Sequence, residues 1–146
     1  MLDPVGKAEL EQSVRTVRVI HTAMVVSILA YLGIAYVVLS RRDPVPGGEG
    51  ILASVLYVLS GLTIVGVFAV RRLVLPAPDE LKTASGDSSE MISKYRMGSI
   101  ISFVLCEAIA LYGLVLAFVS GSMAHLLRLA AVSIVLLLFL YPRNIE

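Results

Sequence analysis

Apolar residues fall into four long runs, 19–40, 51–70, 97–119 and 123–141, separated by short polar segments. Each run is about the 20 residues that a helix needs to cross a hydrocarbon core roughly 30 Å thick. The pattern predicts an all-α integral membrane four-helix bundle: two antiparallel transmembrane hairpins in a single membrane domain covering 1–146. The segment before the first run carries Asp3-Pro4, a helix start, then Leu10, Val14 and Val17 at helical spacing among charged residues. It reads either as an amphipathic lead-in on the membrane surface or as a frayed polar tail. The first run is too long, and too far from the N-terminus, for a cleaved signal sequence, and is expected to be a retained span.

Punctuation between the runs fixes their connections. Arg41-Arg42-Asp43-Pro44-Val45-Pro46-Gly47-Gly48 forbids continuation of the first helix, so the first two spans form one expected hairpin. Span two stops at Arg71-Arg72 before Pro76-Ala77-Pro78, and a cytoplasmic loop of about 71–96 follows. Asp87 and Glu90 have the spacing of a capping box, which predicts a third helix of more than thirty residues that starts outside the membrane. Ser120-Gly121-Ser122 is the turn of the second hairpin.

One residue breaks the apolar pattern. Glu107 lies about ten residues into the third span, roughly 15 Å deep at 1.5 Å per residue, close to the bilayer midplane. Burying an acid there costs about 2.5 to 3.5 kcal/mol on insertion scales, so such groups pair, face a helix or line an ion path. Small residues recur every three or four positions on the same helix, at Ser99, Ser102, Cys106, Ala110, Gly113 and Ala117, and on to Ser120. That seam is the expected face for a closely packed helix. Glu107 stands about 100° from it, beside a helix contact. Its candidate partners are Arg128 on the neighbouring helix and the hydroxyls of Ser60, Thr63 and Ser133 at similar depth. It is read either as a proton or cation site or as a fixed hydrogen bond or ion pair between helices.

Composition agrees with the pattern: 58% of the 146 residues are hydrophobic and 16% charged, and the mean hydropathy is +0.89. A net charge of +1 gives no sign of nucleic acid as a partner. The lone Cys106 excludes an internal disulfide and is read as a packing residue. His21 and His125 belong near opposite faces, so no metal site is expected, and no cofactor. His21 reads as an interfacial polar residue. No nucleophile, base and orienting acid come together in sequence, so the chain is expected not to be an enzyme. Of the Lys and Arg residues, nine fall on the side of the termini and long loop (Lys7, Arg15, Arg18, Arg71, Arg72, Lys82, Lys94, Arg96 and Arg143), against Arg41, Arg42 and Arg128 on the other. The positive-inside rule puts both termini in the cytoplasm, in a membrane expected to be a bacterial plasma membrane.

Two similarities add to this. Leu32-Gly33 with Ser40 matches Tyr112-Gly113 with Ser120 at a spacing of 80, and Thr63-Ile64-Val65 matches Ser133-Ile134-Val135 at 70. Either a repeated hairpin or chance likeness between apolar segments accounts for it. In a repeat, Ser27 is the counterpart of Glu107. Phe103 with Glu107-Ala108-Ile109-Ala110-Leu111-Tyr112-Gly113-Leu114-Val115 resembles the ion-carrying helix of the proteolipid c subunits of rotary ATPases. The resemblance implies that Glu107 takes up and releases H⁺ or Na⁺. It departs from that family in having the acid on the first helix of a hairpin, and it lacks the glycine-rich partner helix. Four spans with one membrane Glu also look like the small multidrug-resistance transporters, whose Glu is on the first span.

The expected function is therefore that of a small non-enzymatic membrane subunit of a homo-oligomer or larger complex, embedded in the lipid bilayer, with Glu107 as its ion site. The alternatives are a purely structural subunit and a small proton-coupled transporter.

Overall fold

The computed structural model describes residues 4–41, 50–74 and 88–141, and among these every element is helical. The helices are α1 (Pro4–Leu39), α2 (Gly50–Val74), α3 (Ser88–Ser120) and α4 (Met123–Phe139). The polar lead-in and first apolar run form one continuous helix of 36 residues, and α3 has 33, as the capping spacing predicts. Asp87, with the rest of the loop 75–87, the first connection 42–49 and the tail 142–146, lies outside the described residues.

Three helices are long and apolar enough to cross a membrane: Glu11–Leu39, Gly50–Leu73 and Glu90–Ser120. The fourth apolar helix, with 17 residues, is about 25 Å long, short of the full hydrocarbon thickness. Its start is sharply defined. Gly121 adopts a positive φ of 70°, a conformation open to glycine without a side-chain clash, and the Ser122 hydroxyl accepts the Ala124 N–H as an N-cap.

Burial inverts the usual soluble pattern. Large apolar side chains, among them Val26, Leu29 and Ile34 on α1 and Val55, Leu62 and Val65 on α2, are exposed. Buried positions include Ser60, Thr63, Ser99, Ser102, Ser133 and His21 alongside the apolar core. A contiguous exposed apolar face of this extent suits hydrocarbon and not water.

The hub of the bundle is α3. It packs against α1, α2 and α4, and α1 also touches α4, whereas among the described residues the backbones of α1 and α2 are not in contact. The two helices of the expected first hairpin each pack against α3. Periodicity makes this possible, since α3 carries a different residue set on each side. Phe103 and Glu107 meet His21, Ser27 and Tyr31 of α1, and Leu105 lies near Gly66 of α2 while Ile109 and Leu116 cluster with its Ala53, Leu56 and Ile64. Gly113 lies against Leu126 and Leu129 of α4, and the Cys106 carbonyl accepts from its Ser133. The remaining strip, Met97, Ile101, Val104, Leu111, Val115 and Val119, is exposed.

Gly113 lets α3 and α4 meet. A Cβ there would lie 3.0 Å from Leu129 Cβ and 3.1 Å from Leu126 Cα. Contacts then descend on α3 as they ascend on α4, from Gly113 opposite Leu126 to Cys106 opposite Ser133. We predict that Gly113→Val destabilises the folded protein by about 1–3 kcal/mol through overpacking, read by unfolding in mixed micelles. Gly61→Ala, where an added Cβ meets nothing within 4 Å, is expected to be neutral or stabilising by up to about 1 kcal/mol. Equal effects at the two glycines would contradict this packing.

Candidate functional site

Glu107 is half-buried at the contact between α3 and α1. Its Oε1 accepts two hydrogen bonds, from the Ser27 hydroxyl at 2.6 Å and the Tyr31 hydroxyl at 2.7 Å. The donors are one helical turn apart on α1 and so project to one side of it. Their spacing matches the range for O–H groups donating to a charged oxygen. The second oxygen, Oε2, has no hydrogen-bond partner among the described residues and is not sealed within the protein.

This arrangement has a specific chemical property. Both hydroxyls converge on one oxygen, so a proton can join or leave Oε2 while neither donor turns away. The same two bonds serve a carboxylate and a neutral acid, whose Oε1 is then the carbonyl oxygen. A hydrogen bond to a charged group contributes about 1.5–3 kcal/mol, enough in a pair to offset much of the insertion cost of the acid.

The residues expected to serve Glu107 are engaged elsewhere. Ser60 and Thr63 donate to the carbonyls of Leu56 and Leu59 on their own helix, at 2.8 Å each. Ser133 donates across to the Cys106 carbonyl at 2.5 Å, tying α4 to α3. Arg128 is exposed on α4, and the acid's two hydrogen bonds come from α1. Within the seam, Ser102 donates to Gly98 O at 2.8 Å, while Ser99, Cys106, Ala110, Gly113 and Ala117 are buried. The seam is thus internal, and at Cys106 and Gly113 its neighbour is α4.

Two further polar contacts were not foreseen. His21 is buried within the bundle, with 4% of its surface exposed. Its Nε2 lies 2.9 Å from the Leu137 carbonyl, which can only accept, so Nε2 carries the hydrogen. The ring is held edge-on by Phe103 and Tyr141, each centroid 5.2 Å away. At the opposite end, Tyr57 OH and His125 Nδ1 are 2.9 Å apart and link α2 to α4. The histidines do not share a site, and among the described residues no group of three or more His, Cys, Asp or Glu could hold a metal ion.

No known protein family matches the chain, and no characterised protein or solved structure matches it either. The likeness to proteolipid c subunits rests on Phe103 to Val115 alone.

The two donors generate a prediction. Ser27→Ala and Tyr31→Phe are each expected to cost about 1 kcal/mol. Each should couple to Glu107→Leu in a double-mutant cycle by about 0.6–1.7 kcal/mol. Arg128→Ala is expected to add to Glu107→Leu without coupling. Coupling of Glu107 to Arg128 and not to Ser27 or Tyr31 would overturn the assignment of partners.

Proposed function

We propose that this chain is a small non-enzymatic membrane protein in which Glu107 binds and releases a proton within the bilayer. The observation carrying the reading is the geometry at Oε1: two hydroxyl donors satisfy one oxygen, and the other oxygen is left as the point of proton exchange. The same geometry favours a proton over a metal cation. Oxygen separations of 2.6 and 2.7 Å are spanned by hydrogen. A cation coordinated at about 2.0–2.6 Å from each oxygen would need them farther apart and would need more ligands than these three groups supply.

In this proposal α1 to α4 form two antiparallel hairpins across a bacterial plasma membrane, with the termini and long loop cytoplasmic. The charge asymmetry supports that orientation. Since α4 takes up the small-residue seam, assembly with further copies or with a larger complex would use the exposed faces of α1, α2 and the open strip of α3.

A second reading has its own support. Both bonds to Glu107 cross from α1 to α3, so the acid also serves as a fastener between helices. One substitution separates the two. Glu107→Gln keeps a carbonyl acceptor for Ser27 and Tyr31 but cannot titrate. If the proton is the function, this variant folds like the parent protein, while carbodiimide labelling and proton flux in proteoliposomes are lost. Flux unchanged in Glu107→Gln would defeat the proton reading and leave the structural one.

A further inference from the structure

The four apolar runs contain two charged residues, Glu107 and Arg128. Glu107 has its hydroxyl donors on α1, and Arg128 stands apart from them. It is exposed on α4, and no hydrogen bond or ion pair joins it to another described residue. Leu126, Leu129 and Ser133 mark the side of α4 that meets α3. Arg128 falls on the opposite side, with Ala124, Leu127, Ala131 and Val135, all of them exposed. The guanidinium therefore leaves the bundle on a face that suits hydrocarbon.

A guanidinium keeps its charge, and in a bilayer it must find an anion or reach the headgroups. Among the described residues no acid stands nearby. Glu9, Glu11 and Glu90 lie toward the starts of α1 and α3, at the other end of the bundle from the Gly121 turn. Arg128 is five residues beyond Met123, about 7.5 Å along the axis. Helical side chains lean toward the N-terminus, so its stem runs back toward the start of α4. Ala124, one turn nearer that start on the same side, presents only a methyl group and leaves the path open. The start of a helix is its positive end, which disfavours a bare cation and favours one that arrives with an anion.

The length of α4 says which anion. Its 17 residues give about 25 Å, against a hydrocarbon core of about 30 Å. From Leu129 to Phe139 the stretch free of charge is shorter still, eleven residues or roughly 16 Å. A bilayer meets so short an apolar side by thinning, and a long basic side chain meets it by extending to the headgroups. A phosphate drawn down to Arg128 does both, with the guanidinium fork matching two phosphate oxygens. A carboxylate from a second copy would pair the charge and leave the short apolar side unmatched. We propose that Arg128 holds the phosphate of a phospholipid, and that the leaflet at the Gly121 end dips beside α4 until its headgroups reach the level of Leu127. Such a site requires α4 to lie in the bilayer, as proposed above, and does not involve proton binding at Glu107.

The test is solid-state NMR of the full chain, ¹³C-labelled at the arginine guanidinium carbons, in bilayers of phosphatidylcholine and phosphatidylglycerol in phosphate-free buffer. Dephasing of that carbon by lipid ³¹P reads their separation. The signal lost in Arg128→Gln is expected to be one dephased at about 4–5 Å, as charged N–H···O bonds of about 2.8 Å require. A nitroxide attached through Leu127→Cys or, separately, Val135→Cys reads depth, since Cys106 is buried and takes no label. The Leu127 label is expected at the headgroups, relaxed by a water-soluble nickel chelate, and should pass into oxygen-rich hydrocarbon when Arg128→Leu is added. The Val135 label should stay in hydrocarbon throughout. An Arg128 signal without ³¹P contact, contact that appears only on adding inorganic phosphate, or a Leu127 label in hydrocarbon beside an intact Arg128 would each overturn the proposal and leave the membrane placement standing. A water-exposed Val135 label would overturn both.

Discussion

A carboxyl group set among apolar side chains needs polar partners from the protein itself, because burying it unpaired is costly. In this chain the task falls to two hydroxyls one turn apart on α1, both donating to the same oxygen of Glu107. That requirement fixes much else. It sets the rotation of α1, which must turn Ser27 and Tyr31 inward while Val26, Leu29 and Ile34 face out. It also sets the rotation of α3, which must turn Glu107 toward α1 and so leaves its small-residue seam to α4.

The helices are held at several depths by single polar contacts, set among close apolar packing. Glu107 joins α3 to α1, Ser133 joins α4 to the backbone of α3 at Cys106, His21 joins α1 to the last turn of α4, and Tyr57 joins α2 to α4 near its start. Lipid offers no hydrophobic drive for helices to associate, so fit and hydrogen bonding carry that role. Gly113 lets α3 approach α4 closely, and the polar contacts select register and rotation. Their arrangement leaves α1 and α2 on separate flanks of α3, with the strip from Met97 to Val119 uncovered between the residue sets that face them.

Hydropathy and spacing carried the first part of this picture. The long apolar runs, the continuous third helix and the buried small residues along it all follow from residue identity at helical period, because each is a property of one helix. The partners of Glu107 do not follow, because they depend on which helices are neighbours. Ser60, Thr63 and Ser133 lie at comparable depth to Ser27, and depth alone cannot choose among them. A usable signal was present: Ser27 and Tyr31 form an i, i+4 pair of hydroxyls within the first apolar run, and Ser27 is also the counterpart, at a spacing of 80, of the one acid inside an apolar run. The short connection between α1 and α2 limits the distance between their ends, and the length of a turn says nothing of which helix each packs against. The partner of His21 was not legible for a similar reason, since the carbonyl it bonds belongs to α4, 116 residues away.

The most direct measurement is solid-state NMR of the protein in lipid bilayers, with isotopes in the carboxyl carbon of Glu, the Cβ of Ser and the Cζ of Tyr. Cross peaks joining the Glu107 carboxyl to Ser27 and to Tyr31, each abolished by the matching Ala or Phe substitution, are the predicted result. A Glu107 carboxyl that instead correlates with Arg128, or with bulk water and neither hydroxyl, would contradict the account.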